Sequence, residues 1–368
     1  MKLEVLEAVL QDLKWRYEVL TDDTLGRVVI TERGGRILGI YPHETSENML
    51  WINPKLADRA YVQQHFVQGR EWNLGGERTW LSPEVEYNIP NIESIWENYT
   101  VQSAIDPGSY SLQAPAVDLD KGTLKTVFWQ QQISALTFQS KVERSFHVEK
   151  ICRLLSDPLQ MIGMDSISLQ YDYIGYETTT KLKLTEIPRV YAPLSLWTLM
   201  QVPPTGEMIV PTYGYAEVTD FFEPTGASHL TVTDHGIYFK IDAKERHKIS
   251  LKSSCLTGRI GYLRQGLDGY AYLIVRHIQI NPSEKYLDVP VHQLNDQGHC
   301  VQGYNDSGQF GAFGELEYHT SGIDQEGQDN RLSLEDTSQV WCYRGDRKIV
   351  NVIAKHLLGC NFDSKQDR

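Results

Sequence analysis

The sequence predicts an all-β protein, a large antiparallel sandwich preceded by a short N-terminal helix. Three observations carry this expectation. Short runs rich in β-branched and aromatic residues recur along most of the 368 positions, roughly twenty of them, separated by turn residues. The stretch 166–176 alternates strictly, with Ile167, Leu169, Tyr171 and Tyr173 set against Ser166, Ser168, Gln170 and Asp172, so one face of that strand is buried and the other wet. Helical spacing is confined to the two ends of the chain, and no repeat or Pro/Ser-rich linker divides it.

Taken in order, Leu3, Leu6, Val9, Leu10 and Leu13 recur at helical spacing, which predicts an amphipathic helix over 2–14. Residues 26–31 and 37–41 read as strands joined by a Gly34-Gly35-Arg36 turn, and 48–54 as a short extended run stopped by Pro54. Residues 55–72 are polar and aromatic. From Tyr99 to Leu184 the pattern is nearly all strand, with runs at 127–130, 136–139, 140–148, 151–155, 166–176 and 178–184. Further strands are expected at 193–202, 208–211, 229–233, 236–241, 250–256, 270–280, 300–304 and 313–319. A short helix is expected over 349–358. The expected organisation is a lead-in over 1–24, one sandwich domain over 25–360 and a polar, disordered tail over 361–368.

Composition excludes several function classes. A formal net charge of −13 leaves no basic stripe to neutralise phosphates, so no nucleic-acid partner is expected. No run approaches the ~18 apolar residues of a membrane span. The five cysteines are scattered, odd in number and without a C-x-x-C pair, so neither a disulfide framework nor a zinc site is expected. A cytoplasmic location follows as the expectation, with Glu4 and Glu7 interrupting any signal-peptide run. The motifs of zincins, serine hydrolases, P-loops and dinucleotide-binding folds are all missing, and no cofactor or metal is expected.

Four groups of residues carry possible chemistry. In the stretch 73–84, Gly75 and Gly76 permit a tight turn that holds Glu77 and Arg78, and Trp80 offers the broad apolar face on which a sugar ring stacks. On a strand, Glu315, Glu317 and His319 point one way, and two carboxylates and an imidazole on one face suit acid–base work. Arg276 shares a face with Tyr272, Ile274 and Ile278 and is either a site residue or half of a buried ion pair, with His277 beside it. Trp197 lies between Ser195 and Thr198 and reads either as core or as a stacking wall.

The order of these motifs resembles the galactose mutarotase-like (aldose 1-epimerase) superfamily. The likeness runs over about residues 25–358, through Gly34-Gly35-Arg36-Ile37-Leu38-Gly39-Ile40-Tyr41, Asn48-Met49-Leu50-Trp51, the Gly75-Gly76 turn, Gly206-Glu207-Met208-Ile209-Val210-Pro211 and the late Glu-containing strand. The resemblance implies a β-supersandwich with a sugar cleft on its concave face. It implies Glu317 as the base that takes the anomeric proton, with Glu315 the register alternative, and Arg78 as the sugar-holding arginine. The family's histidines have no counterparts: Leu74-Gly75-Gly76 and Ser195-Leu196-Trp197-Thr198 occupy their places. Two functions follow as expectations. One is an epimerase or mutarotase, with Glu317 as base, Glu77 and Arg78 on the substrate, Trp80 and Trp197 as walls, and His277 or His319 replacing the missing acid. The other is a carbohydrate-binding or sensing protein that keeps the cleft without the chemistry.

Overall fold

A computed structural model of the chain describes residues 1–69, 71–117, 125–164, 169–186, 190, 192–323 and 332–359. Helix α1 (Leu3–Asp12) leads into β1 (Tyr17–Thr21), β2 (Arg27–Thr31), β3 (Arg36–Tyr41) and β4 (Glu77–Ser82). Three long strands and one shorter follow: β5 (Ser111–Val117), β6 (Lys125–Leu136), β7 (Glu143–Leu155) and β8 (Tyr171–Leu184). The middle of the chain supplies β9 (Ser195–Val202), β10 (Gly206–Pro211), β11 (Val218–Asp220), β12 (Leu230–Thr233), β13 (Gly236–Ile241) and β14 (His247–Lys252). Then come β15 (Arg259–Gln265), β16 (Ala271–Ile278), β17 (His299–Asn305), β18 (Gly314–His319) and β19 (Ser333–Gly345), and a C-terminal helix, Arg347–Leu358. Strand accounts for 43% of residues and helix for 17%, which makes the protein all-β as the periodicity predicts.

Two antiparallel sheets result. One has nine strands in the order β1-β2-β3-β4-β9-β18-β17-β14-β11, the other ten in the order β12-β13-β10-β15-β16-β19-β8-β7-β6-β5. Their facing sides close a continuous apolar core that takes in residues from Leu20 to Cys342. Each helix lies on an outer face. Leu6 and Leu10 of α1 pack on Val29, Leu38 and Tyr41. The C-terminal helix starts where Asp346 accepts from the Lys348 N–H, stops at Gly359 with φ 70°, and buries Val350, Ile353 and Leu357 against Leu273, Val275 and Tyr343. No described helix is long and apolar enough to cross a membrane.

The structure differs from the expectation in several places. Residues 77–82 form a central strand rather than a tight turn. The turning is done earlier, by Gly75 (φ 94°) and Gly76 (φ 79°), whose would-be Cβ atoms meet the Trp51 and Ile37 carbonyl oxygens at 2.4 and 2.3 Å. Residues 54–66 wind into short helical turns that cover α1. Residues 101–109 are turns and irregular chain, not strand. The two runs expected over 166–184 are one strand from Tyr171, because Glu177 continues the ladder between Arg153 and Gln339. Strand β1 falls within the expected lead-in and pairs with β2. Residues 166–168 and the tail 361–368 lie outside the described residues.

Candidate functional site

The outer face of the nine-stranded sheet carries a cleft enclosing about 490 Å³, part of it open to solvent. Strand register builds its floor. Arg78, Leu199, Glu317 and Gln302 stand abreast on β4, β9, β18 and β17. One row away run Gln201, Glu315, Tyr304 and Lys248, and on the other side Trp80, Trp197 and His319. Because side chains alternate along a strand, each row shares one face. Loop residues Trp72, Glu84, Tyr99, Phe222, Phe310 and Phe313 form the walls.

Ion pairs thread the floor. Arg78 Nη2 donates to Glu315 Oε1 at 2.9 Å, and its guanidinium lies over Trp80 at 4.3 Å. Arg78 is 1% exposed, yet its Nε and Nη1 have no hydrogen-bond partner among the described residues. Lys248 Nζ lies 3.0 Å from Glu84 Oε2 and 3.5 Å from Glu317 Oε2. The Trp197 indole N–H donates to Glu317 Oε2 at 2.9 Å, and the Tyr99 hydroxyl donates to Glu84 Oε1 at 3.0 Å.

Four carboxyl groups (Glu84, Asp288, Glu315 and Glu317) thus share two cations, Arg78 and Lys248, in a buried space. Burial disfavours charge, and one group responds by keeping its proton. Burial pushes Glu317 up to about 8. The Lys248 ammonium and the Trp197 N–H pull against this, while Glu315 and Glu84 add to it. Burial also acts to lower Lys248, but the carboxylates of Glu317, Glu84 and Asp288 hold it above its ordinary range, so it stays charged. At neutral pH the floor therefore presents a fixed ammonium, a fixed guanidinium and a carboxylic acid close to its titration point.

Of the residues singled out from sequence, Arg78, Trp80, Trp197, Glu315 and Glu317 line this cleft together. Both indoles are 2% exposed and meet edge to face at 5.6 Å, so each is core and cleft floor at once. The other four lie elsewhere. Glu77 alternates to the inside of the sandwich, where its carboxylate pairs with Arg276 of the opposite sheet and accepts from the Tyr176 hydroxyl at 2.6 Å. Arg276 is therefore the ion-pair half of its two readings, and the expected contact of Glu77 with substrate is corrected. His277 stands on the ten-stranded sheet, stacked on Trp341 at 5.8 Å, away from the cleft. His319 shares the face of Glu317 but is sealed beneath Trp197, with Ser82 Oγ 2.9 Å from its Nδ1. Burial, with Lys248 and His299 nearby, holds its pKa well below the ordinary histidine value, so the ring is neutral and lacks an acidic proton. Neither histidine lines the cleft.

Sequence reading missed Lys248, Glu84 and Tyr99. The signal for Lys248 lay in its alternation with Ser250, but a lysine on a polar strand face ordinarily reads as solvated. Glu84 follows a Ser-Pro stop and nothing local marks it.

Solved structures similar to this one include a galactose mutarotase-like protein from Lactobacillus casei ATCC 334, at 8% identity and a TM-score of 0.47, covering 89% of this chain and 100% of that one. A putative aldose 1-epimerase from Klebsiella pneumoniae subsp. pneumoniae MGH 78578 is similar at 10% identity and a TM-score of 0.46, covering 96% and 91%. Galactose 1-epimerase from Lactobacillus acidophilus NCFM is similar at 9% identity and 0.42, covering 90% and 95%. These are likenesses of fold, and they take the resemblance read from the motifs no further than that. No curated protein matches the sequence. A family model does match, over residues 8–367, and the chain belongs to that family, the family of unknown function DUF6786.

Proposed function

We propose that the cleft binds a sugar or sugar derivative and that Glu317 moves a proton on it. One observation carries the reading: a buried carboxyl that keeps its proton to about 8 lies on the floor of a cleft walled by aromatic rings. A proton-transfer group works best with its pKa near the working pH. Aromatic faces suit the apolar faces of a sugar ring, and the unpaired Nε and Nη1 of Arg78 suit its oxygens.

On this reading Glu317 rests protonated at pH 7 and gives its proton to the ring oxygen, while the proton of the anomeric hydroxyl leaves to water; above about pH 8 it rests as the base the resemblance implies. Lys248 and Arg78 hold fixed positive charge beside it and steady negative charge developing on oxygen. The reaction class that fits is ring opening and closure at an anomeric centre, an isomerisation needing proton transfer alone.

A specific observation favours the second reading, a binding or sensing protein. Lys248 is held charged and His319 neutral and sealed away, so neither serves Glu317 as a partner in proton transfer. Polarimetry on freshly dissolved aldoses, preceded by a tryptophan-fluorescence titration to choose those that bind, separates the two. The enzyme reading expects mutarotation above the buffer rate, abolished in Glu317→Gln with binding retained. Binding without any rate above buffer leaves the sensing reading. No binding by any aldose, uronic acid or sugar phosphate overturns both.

A further inference from the structure

We propose a zinc site formed by His229, Glu245 and His247, at the corner where the chain passes from the ten-stranded to the nine-stranded sheet. His229 immediately precedes β12, Glu245 lies in the connection between β13 and β14, and His247 opens β14. One ligand atom from each lies within 4.8 Å of the other two. Glu245 Oε2 stands 3.2 Å from His247 Nε2 and 4.0 Å from His229 Nδ1. Tetrahedral zinc with bonds of ~2.0–2.1 Å needs neighbouring ligand atoms about 3.3 Å apart. One contact already meets that spacing, and the Glu245 side chain, 65% exposed, is free to close its other one, while the two imidazoles must draw together by up to about 1.5 Å.

The arrangement has what a ligand set requires beyond proximity. The two imidazoles are 7% and 6% exposed, with ring centroids 4.8 Å apart, so they are held rather than waving in solvent. The far nitrogen of His229, Nε2, lies 3.2 Å from Asp242 Oδ1. Asp242 is itself fixed by Lys240 at 2.8 Å and by the Asn305 amide at 3.3 Å. A carboxylate on the second nitrogen of a metal-binding histidine fixes its tautomer and leaves the first nitrogen's lone pair for the metal. That first nitrogen, Nδ1, has Ser228 Oγ at 3.0 Å, a neutral hydroxyl that ligation displaces. Nδ1 of His247 is buried and without a partner among the described residues, an unsatisfied atom whether Nε2 faces Glu245 or a metal. Two imidazoles and one carboxylate, with a fourth position open to solvent beside Glu245, suit zinc over calcium or magnesium. Bound there, the ion ties β12 to the start of β14. Lys248 is the next residue along and points to the other face, into the cleft.

The test uses the full chain, stripped with a chelator and dialysed, titrated with zinc chloride by calorimetry, with thermal unfolding followed in parallel. The expected result is one zinc per chain and a raised unfolding midpoint, with magnesium and calcium giving neither. Asp242→Asn should weaken affinity about 10–100-fold, as loss of a partner behind a ligand does. Glu245→Gln should weaken it at least as much, and that exposed side chain can change without disturbing the fold. His247→Gln should abolish stoichiometric binding. No stoichiometric binding, or binding that Glu245→Gln and His247→Gln leave unchanged because other histidines provide it, overturns the site.

Discussion

Replacing Lys248 by Met tests the charge arrangement of the cleft more directly than any other single change. The side chain is 3% exposed, and methionine fills nearly the same volume, so packing against Trp197 and Phe221 is largely kept. What is lost is the one cation within 3.5 Å of Glu317 and 3.0 Å of Glu84. Removing one partner of a buried ion pair costs about 3–5 kcal/mol when the other must stay charged. The pH dependence follows from the groups left behind. Of these, Glu317 already holds its proton to about pH 8 in the wild type, whereas in the unfolded chain it titrates near ~4.3, so its slope is common to both proteins. Each proton so retained lowers stability by about 1.4 kcal/mol per pH unit above that point. The wild-type ammonium, its pKa raised, contributes in full until pH passes its ordinary value near ~10.4. Urea unfolding should therefore give a loss of about 3–5 kcal/mol at pH 5 and at pH 8 alike, both values lying below that limit. A small loss at both values would refute the reasoning, because the ammonium would then contribute no net stability beside its carboxylates.

The sequence yields the fold from period alone, since strands with one wet face announce themselves residue by residue. The alternation at Glu315, Leu316, Glu317 and Tyr318 needs no tertiary knowledge, whereas of the run expected from 166 only Tyr171 onwards is strand among the described residues. Strand length was less legible. The runs 166–176 and 178–184 look like two strands because Glu177 breaks the composition, yet backbone ladders on both sides carry one strand through it from Tyr171 to Leu184. Residues 54–66 carry local cues, Asn53 before Pro54 and Asp58 each capping a turn, but the turns are too short to show a period and rest on packing of Leu56, Val62 and Phe66 against α1.

The site was half legible, for a reason specific to sheets. Alternation assigns residues to a face but does not say which face is the sandwich interior when both carry charge. Glu77 and Arg78 are neighbours, so one had to point inwards; nothing local decides that Glu77 meets Arg276 and Arg78 meets Glu315. The same ambiguity kept Lys248 out of view. Its burial rests on carboxylates brought from elsewhere in the chain, at positions 84, 288 and 317.

Two further predictions bear on the buried charges. Arg276→Met should lower stability by about 3–5 kcal/mol in urea unfolding, because Glu77 keeps only the Tyr176 hydroxyl inside the sandwich, whereas replacing Glu77 by Leu as well should recover most of that loss. A double variant no better than the single would mean that the arginine matters for packing alone. The second concerns Glu317→Gln, followed by stability against pH. A carboxyl whose folded pKa is raised to about 8 contributes stability that is fully present below its unfolded pKa and is lost as pH rises through the folded one. Between those limits the folded wild type holds a proton that the unfolded chain has released, so its stability falls by about 1.4 kcal/mol per pH unit from this group. The glutamine is neutral throughout, keeps one acceptor for the Trp197 N–H and carries no such slope. The two stability curves should therefore diverge from pH 5 upwards, in favour of the variant, and run parallel above about pH 8. Curves that diverge in the other direction, with wild type gaining on the variant as pH rises, would mean that Lys248 outweighs burial and that Glu317 is ionised at neutral pH, which removes the proton that the proposed reaction uses.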